Sequence, residues 1–74
     1  MAGSRRDAVR IWRVRPKGSG ERWLVISPEG HVTEFVKGDL GIEFGRQMAQ
    51  AAHEILEVWT SEGRISATED FRLN

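Results

Sequence analysis

HVTEFVKGDLGIEFGRQMAQAAHEILEVWT, residues 31–60, decides the fold. Its first six residues, His31–Val36, are β-branched and aromatic and read as a strand. Lys37-Gly38-Asp39 then breaks the strand pattern, and Asp39 is placed to cap a helix with its carboxylate. The spacing predicts a helix over 40–53. Leu40, Phe44, Met48, Ala51 and Ala52 recur at intervals of three and four and are expected to form the buried face, widened by Ile42, Gly45 and Ala49. Glu43, Arg46, Gln47, Gln50 and His53 are expected to face water. Ile55–Thr60, ILEVWT, returns to strand composition.

Upstream lie two more strands. Ala8–Arg15 interleaves arginines with β-branched residues. Pro16–Glu21 is a Gly/Ser loop, and Arg22–Ser27 is apolar on both faces, as a central strand should be. The turn Ser27-Pro28-Glu29-Gly30 pairs a φ-setting proline with a glycine free to take the left-handed exit. These strands and His31–Val36 make an antiparallel meander. Downstream, Ser61-Glu62-Gly63 is a hairpin loop and Arg64–Ala67 a short fifth strand. Thr68–Asn74 reads as a tail, with Phe71 folded back onto the body. The pattern predicts an α+β domain, βββαββ, with one helix packed on one face of a mixed, mostly antiparallel four- or five-stranded sheet. A right-handed crossover sets the fourth strand beside the first, in the order 5-4-1-2-3.

A chain of 74 residues makes one domain, assigned to residues 8–74, behind a disordered basic arm at 1–7. Small cores need support from disulfides, a metal or a second chain. Cysteine is absent and only two histidines are present, so oligomerisation is the remaining device. No secretory h-region and no apolar run of membrane length is visible, which makes a cytoplasmic protein with no membrane association the expectation.

The net charge of zero hides an asymmetry. Residues 1–22 carry seven Arg and Lys against Asp7 and Glu21, and the remainder is acidic by the same margin. Arg10, Trp12, Arg13, Arg15, Lys17 and Arg22 therefore form a candidate contact surface for nucleic acid or an acidic partner. The bland alternative is a solvated, basic sheet edge. Gly41, Gly45 and Ala49 form a small-residue stripe along the helix. A glycine in a helix costs roughly 0.8–1 kcal/mol relative to alanine, so the stripe calls for close packing, against the sheet before a second copy. Alternation puts Trp12 with Val14 on one sheet face and Ile11 with Arg13 and Arg15 on the other. Trp23 pairs with Val25, Leu24 with Ile26, Ile55 with Trp59 and Leu56 with Val58. Both faces thus carry large apolar groups, and one helix covers only one of them.

Catalytic chemistry is hard to place. His31 stands after a turn and His53 at a helix end, where its cation suits the helix dipole. Neither has a nucleophile at a recognisable spacing. A metal site built on His53, Glu54 and Glu57 requires the helix to continue through a segment that reads as strand. No catalytic residue, metal ligand or cofactor is assigned, and no small-molecule substrate is expected.

A strand with Trp23-Leu24-Val25, a helix with Gly41-Ile42, Arg46 and Ala49, the strand Leu56-Glu57-Val58, the turn Gly63-Arg64-Ile65 and the late aromatic Phe71 together resemble a small bacterial family, domain of unknown function 2188. The resemblance runs from Arg10 to Phe71. Gly41 and Gly45 stand where that family usually has alanine, and the basic amino-terminal stretch is longer here. The resemblance implies the fold and no activity.

The sequence points to a non-enzymatic interaction module. It is expected to be homodimeric and to bind another, unidentified protein through its sheet face or basic edge. Leu24, Ile26, Val25, Trp23, Phe44, Met48, Leu56 and Val58 would build core and interface. The alternatives are a nucleic-acid-binding accessory protein using the basic amino-terminal strand, and a small protein inhibitor of a larger bacterial or phage machine.

Overall fold

A computed structural model describes residues 9–73. The expected arm at 1–7, and Ala8 at the expected start of the first strand, lie outside the described residues. Five strands and one helix follow in the order β1 (Ile11–Lys17), β2 (Arg22–Ile26), β3 (Val32–Phe35), α1 (Gly38–Ala52), β4 (Ile55–Trp59) and β5 (Ile65–Asp70). They form a single sheet ordered β3-β2-β1-β4-β5, with β1 and β4 parallel and every other pair antiparallel. This is the α+β class and the strand order read from the sequence.

Most element boundaries differ from the expected ones by one to three residues. β1 runs on to Lys17 through Pro16. Ile55 N–H donates to the Arg10 carbonyl, so the even-numbered β1 residues turn their backbone groups toward β4. β4 pairing ends at Val14↔Val58, so the missing N–H of Pro16 falls where no partner strand remains. β5 extends through Asp70 into the expected tail, because Leu56↔Glu69 and Ile55↔Asp70 continue its ladder with β4. Phe71 N–H then donates to the Glu54 carbonyl and its ring packs on the core.

The helix begins two residues early. Lys37, not Asp39, is the N-cap and makes no side-chain capping bond. Asp39 lies in the first turn and accepts the Leu40 N–H at 2.9 Å. His53 ends the helix in the left-handed region, φ 57°, with its N–H directed at the Ala49 and Gln50 carbonyls.

The largest correction concerns which helix face is buried. Gly41, Gly45 and Ala49 are the buried helix residues, while Ala51 and Ala52 are exposed and Leu40 and Met48 are 49% and 39% exposed. A glycine row lets the helix axis approach the sheet more closely than a Leu/Phe/Met row would. A Cβ on Gly41 would sit in ordinary contact, 3.6 Å from Trp23 Cβ and Val25 Cγ2. The core is accordingly thin: Val14, Val25, Ala49, Leu56 and Val58, ringed by Trp12, Trp23, Phe35, Ile42, Phe44 and Phe71. Arg46, expected in water, instead reaches β5, where Nε and Nη2 donate to the two Glu69 carboxylate oxygens at 2.8 and 3.0 Å.

Candidate functional site

The helix lies against the sheet face carrying Trp12, Val14, Trp23, Val25, Leu56 and Val58. Strand alternation sends Ile11, Arg13, Arg15 and Lys17 of β1, Arg22, Leu24 and Ile26 of β2, Glu34 of β3 and Glu57 and Trp59 of β4 to the opposite face. None of the described elements covers that face. Its apolar members Ile11, Leu24, Ile26, Ile55 and Trp59 are only half-buried.

The six basic-strand candidates do not form one patch. Arg13, Arg15, Lys17 and Arg22 share the helix-free face. Trp12 belongs to the helix side, where its indole N–H donates to Glu54 Oε1 at 2.7 Å. Arg10 stands beside it, bonded to Glu54 and Glu29. The hydrogen bond from Arg10 to Glu29 holds that carboxyl below the usual carboxylate range.

Carboxylates sit among the cations on the helix-free face too. Arg13 Nε is 3.4 Å from Glu57 Oε1. Lys17 Nζ and Arg22 Nη1 each stand 3.5 Å from an oxygen of Glu34. The sequence separates basic and acidic segments along the chain; pairing β1 with β4 and flanking β2 with β3 mixes them in space. Arg15 is different: its guanidinium lies over the Trp59 ring, 5.4 Å from the centroid, and no described carboxylate pairs with it. Trp59 Nε1 in turn donates to Glu57 Oε1 at 3.1 Å. Trp59, Glu57 and Glu34 were missed as members of this surface. The period-two pattern of β4 groups Trp59 with Ile55 without saying which face the helix takes, and only the β1–β4 register brings it under Arg15.

A shallow cavity of about 400 Å³ opens at the end of the sheet between Trp23 and Trp59, floored by Pro16 and Val58 and rimmed by serine and threonine hydroxyls. No titratable side chain lines it, so it offers stacking and hydrogen bonding rather than acid–base chemistry. Among the described residues no group of three or more His, Asp or Glu side chains is placed to hold a metal ion. No described helix is long and apolar enough to cross a membrane.

Comparison with protein-family models, with curated proteins and with solved structures finds no match for this chain.

Proposed function

We propose that this chain is a non-enzymatic interaction module that associates with itself and docks a protein partner on the helix-free face of its sheet. The observation that carries this reading is the composition of that face. Leu24, Ile26, Ile11 and Ile55 supply an apolar centre, and Trp59 with Arg15 supplies the kind of anchor that dominates protein interfaces. Arg13–Glu57 and the Glu34 pairs frame the centre with charges already satisfied within the chain. The partner that fits is a protein surface with an apolar patch and a carboxylate for Arg15. The resemblance to domain of unknown function 2188 adds no activity to this reading.

The Arg15–Trp59 stack also favours the nucleic-acid reading, since an aromatic beside a cation is a base-stacking platform. The interleaved Glu34 and Glu57 carboxylates count against it, because they repel phosphates at the points where Arg13, Lys17 and Arg22 would contact them.

The test uses the intact chain as bait in the cells that make it, followed by binding of the purified partner. Arg15→Glu and Leu24→Glu, checked for an unchanged circular-dichroism spectrum, should lose the partner, and Gln50→Glu on the helix should keep it. A partner held equally by all four chains overturns the proposed face.

A further inference from the structure

The helix carries a wider apolar arc than the sheet covers. With Gly41, Gly45 and Ala49 against the strands, Leu40, Phe44 and Met48 form a second row, spaced by four, on the β3 side. Phe44 packs on Phe35 with ring centroids 5.2 Å apart. Leu40 and Met48 stay substantially exposed, and Val36, just past β3, is 58% exposed. A cleft of about 230 Å³ opens between Phe44 and Met48 on one side and His31 and Thr33 on the other.

The strand bordering this row is a sheet edge. Ser27 N–H donates to the His31 carbonyl. By antiparallel alternation, Thr33 and Phe35 direct their backbone groups to β2, and Val32 and Glu34 direct theirs outward. The β2–β3 ladder is unbroken from Trp23↔Phe35 to Ile26↔Val32. The other edge is blunted: its register shifts between Val58 and Trp59, and the Ser66 hydroxyl bonds the Val58 carbonyl.

We propose that a second copy of this chain occupies the β3 edge. The two β3 strands pair antiparallel across a two-fold axis, joining the two five-stranded sheets and setting the Leu40–Phe44–Met48 rows on either side of the axis. The inference rests on the self-association proposed above and names its surface. Charge complementarity selects the occupant. Glu29, which Arg10 of the same chain leaves half-exposed, lies in the turn before β3 and Lys37 just after it, so antiparallel pairing brings Glu29 of each copy to the same end as Lys37 of the other. Lys37 has no carboxylate partner among the described residues of its own chain. The outward backbone groups leave two central registers. One opposes Glu34 to its own copy, like charge on like. The other puts Thr33 on the axis, with Val32 opposite Glu34 and His31 opposite Phe35 of the second copy, and is the one the side chains accept.

Sedimentation equilibrium over a wide concentration range tests this on the full chain. Val32→Pro removes an outward N–H at the first position of an edge strand, which leaves the β2 ladder intact. It should weaken the dimer more than about tenfold, because symmetry removes the bond twice. Glu29→Lys and Lys37→Glu should each weaken it, and the double variant should restore it. Leu24→Glu on the helix-free face should leave it unchanged. A wild type that stays monomeric at its highest soluble concentration overturns both this surface and self-association. A dimer that survives Val32→Pro and both charge variants overturns this surface alone.

Discussion

Gly45 in α1 and Val14 in β1 approach so closely that a Cβ built on Gly45 would stand 2.9 Å from Val14 Cγ2 and 3.0 Å from Leu56 Cδ1. Both neighbours are fully buried and cannot swing aside. At Gly41 the same construction meets nothing nearer than 3.6 Å. Two glycines one turn apart therefore differ in sign. Gly41→Ala should stabilise the fold by roughly 0.5–1 kcal/mol through helix propensity. Gly45→Ala should destabilise it despite the same propensity gain, and Gly45→Leu should cost about 1–3 kcal/mol through overpacking. Urea midpoints of the three variants check this, and a stabilised Gly45→Leu would remove the close approach as the reason for the glycine.

Strand composition, turn residues and the helix repeat at three and four were enough for the element order, and the right-handed crossover rule supplied the strand order. The period alone left two helix faces in play, the Leu40, Phe44 and Met48 row and the Gly41, Gly45 and Ala49 stripe, and only the helix cost of the glycines pointed the stripe toward the sheet. Leu40, Phe44 and Met48 have the larger apolar surface, and a burial argument based on side-chain size puts them inward. The sheet selects Gly41, Gly45 and Ala49 because Trp23, Val25, Val14 and Leu56 already fill the interlayer space, leaving room for backbone and small residues only. The interaction surface was legible in part for a related reason. Alternation groups Arg13 with Arg15 and, separately, Trp59 with Ile55, but that these share a face and which charges meet across strands depend on register. The partner of Arg10, Glu54, is 44 residues away in the chain.

Arg46 and Glu69 tie the helix to the last strand, and the bidentate bond from Arg46 holds the Glu69 carboxyl below its usual range. A carboxyl with a lowered folded pKa binds protons more readily in the unfolded chain. Its contribution is therefore complete above the unfolded pKa of about 4.3 and disappears as pH falls through the lower folded value. Both side chains are 37% exposed, so solvent keeps the contribution under about 1 kcal/mol. Glu69→Gln should lower the denaturation midpoint at neutral pH, and the gap to wild type should close as the pH falls below the unfolded carboxyl value and then through the lower folded one. A gap that persists unchanged at low pH would assign the loss to packing rather than charge.

His53 closes the helix at φ 57°, a region that costs a residue with a Cβ about 1 kcal/mol or more. The side chain is exposed, and the capping bonds come from its backbone N–H. His53→Gly should therefore raise the thermal midpoint, by about 4–8 °C for each kcal/mol gained in a domain of this size. A lower midpoint would show that the imidazole contributes more to the helix end than its backbone conformation costs.

Trp59 reports directly on whether the Arg15 face binds nucleic acid, because Arg15 lies over its ring. With Glu34 and Glu57 set among the cations, short single- and double-stranded oligonucleotides should leave tryptophan fluorescence unchanged at physiological salt. Removing those carboxylates reverses the expectation: Glu34→Gln with Glu57→Gln leaves Arg13, Arg15, Lys17 and Arg22 unopposed on one face. That double variant should gain an affinity whose logarithm falls linearly with the logarithm of salt concentration. Wild-type binding with the same linear salt dependence would put phosphate contacts on this face and move the nucleic-acid reading ahead of the protein partner. If neither chain binds, the cations serve the fold and its protein contacts, and the spacing of Arg13 and Arg15 along β1 reflects strand alternation rather than a phosphate backbone.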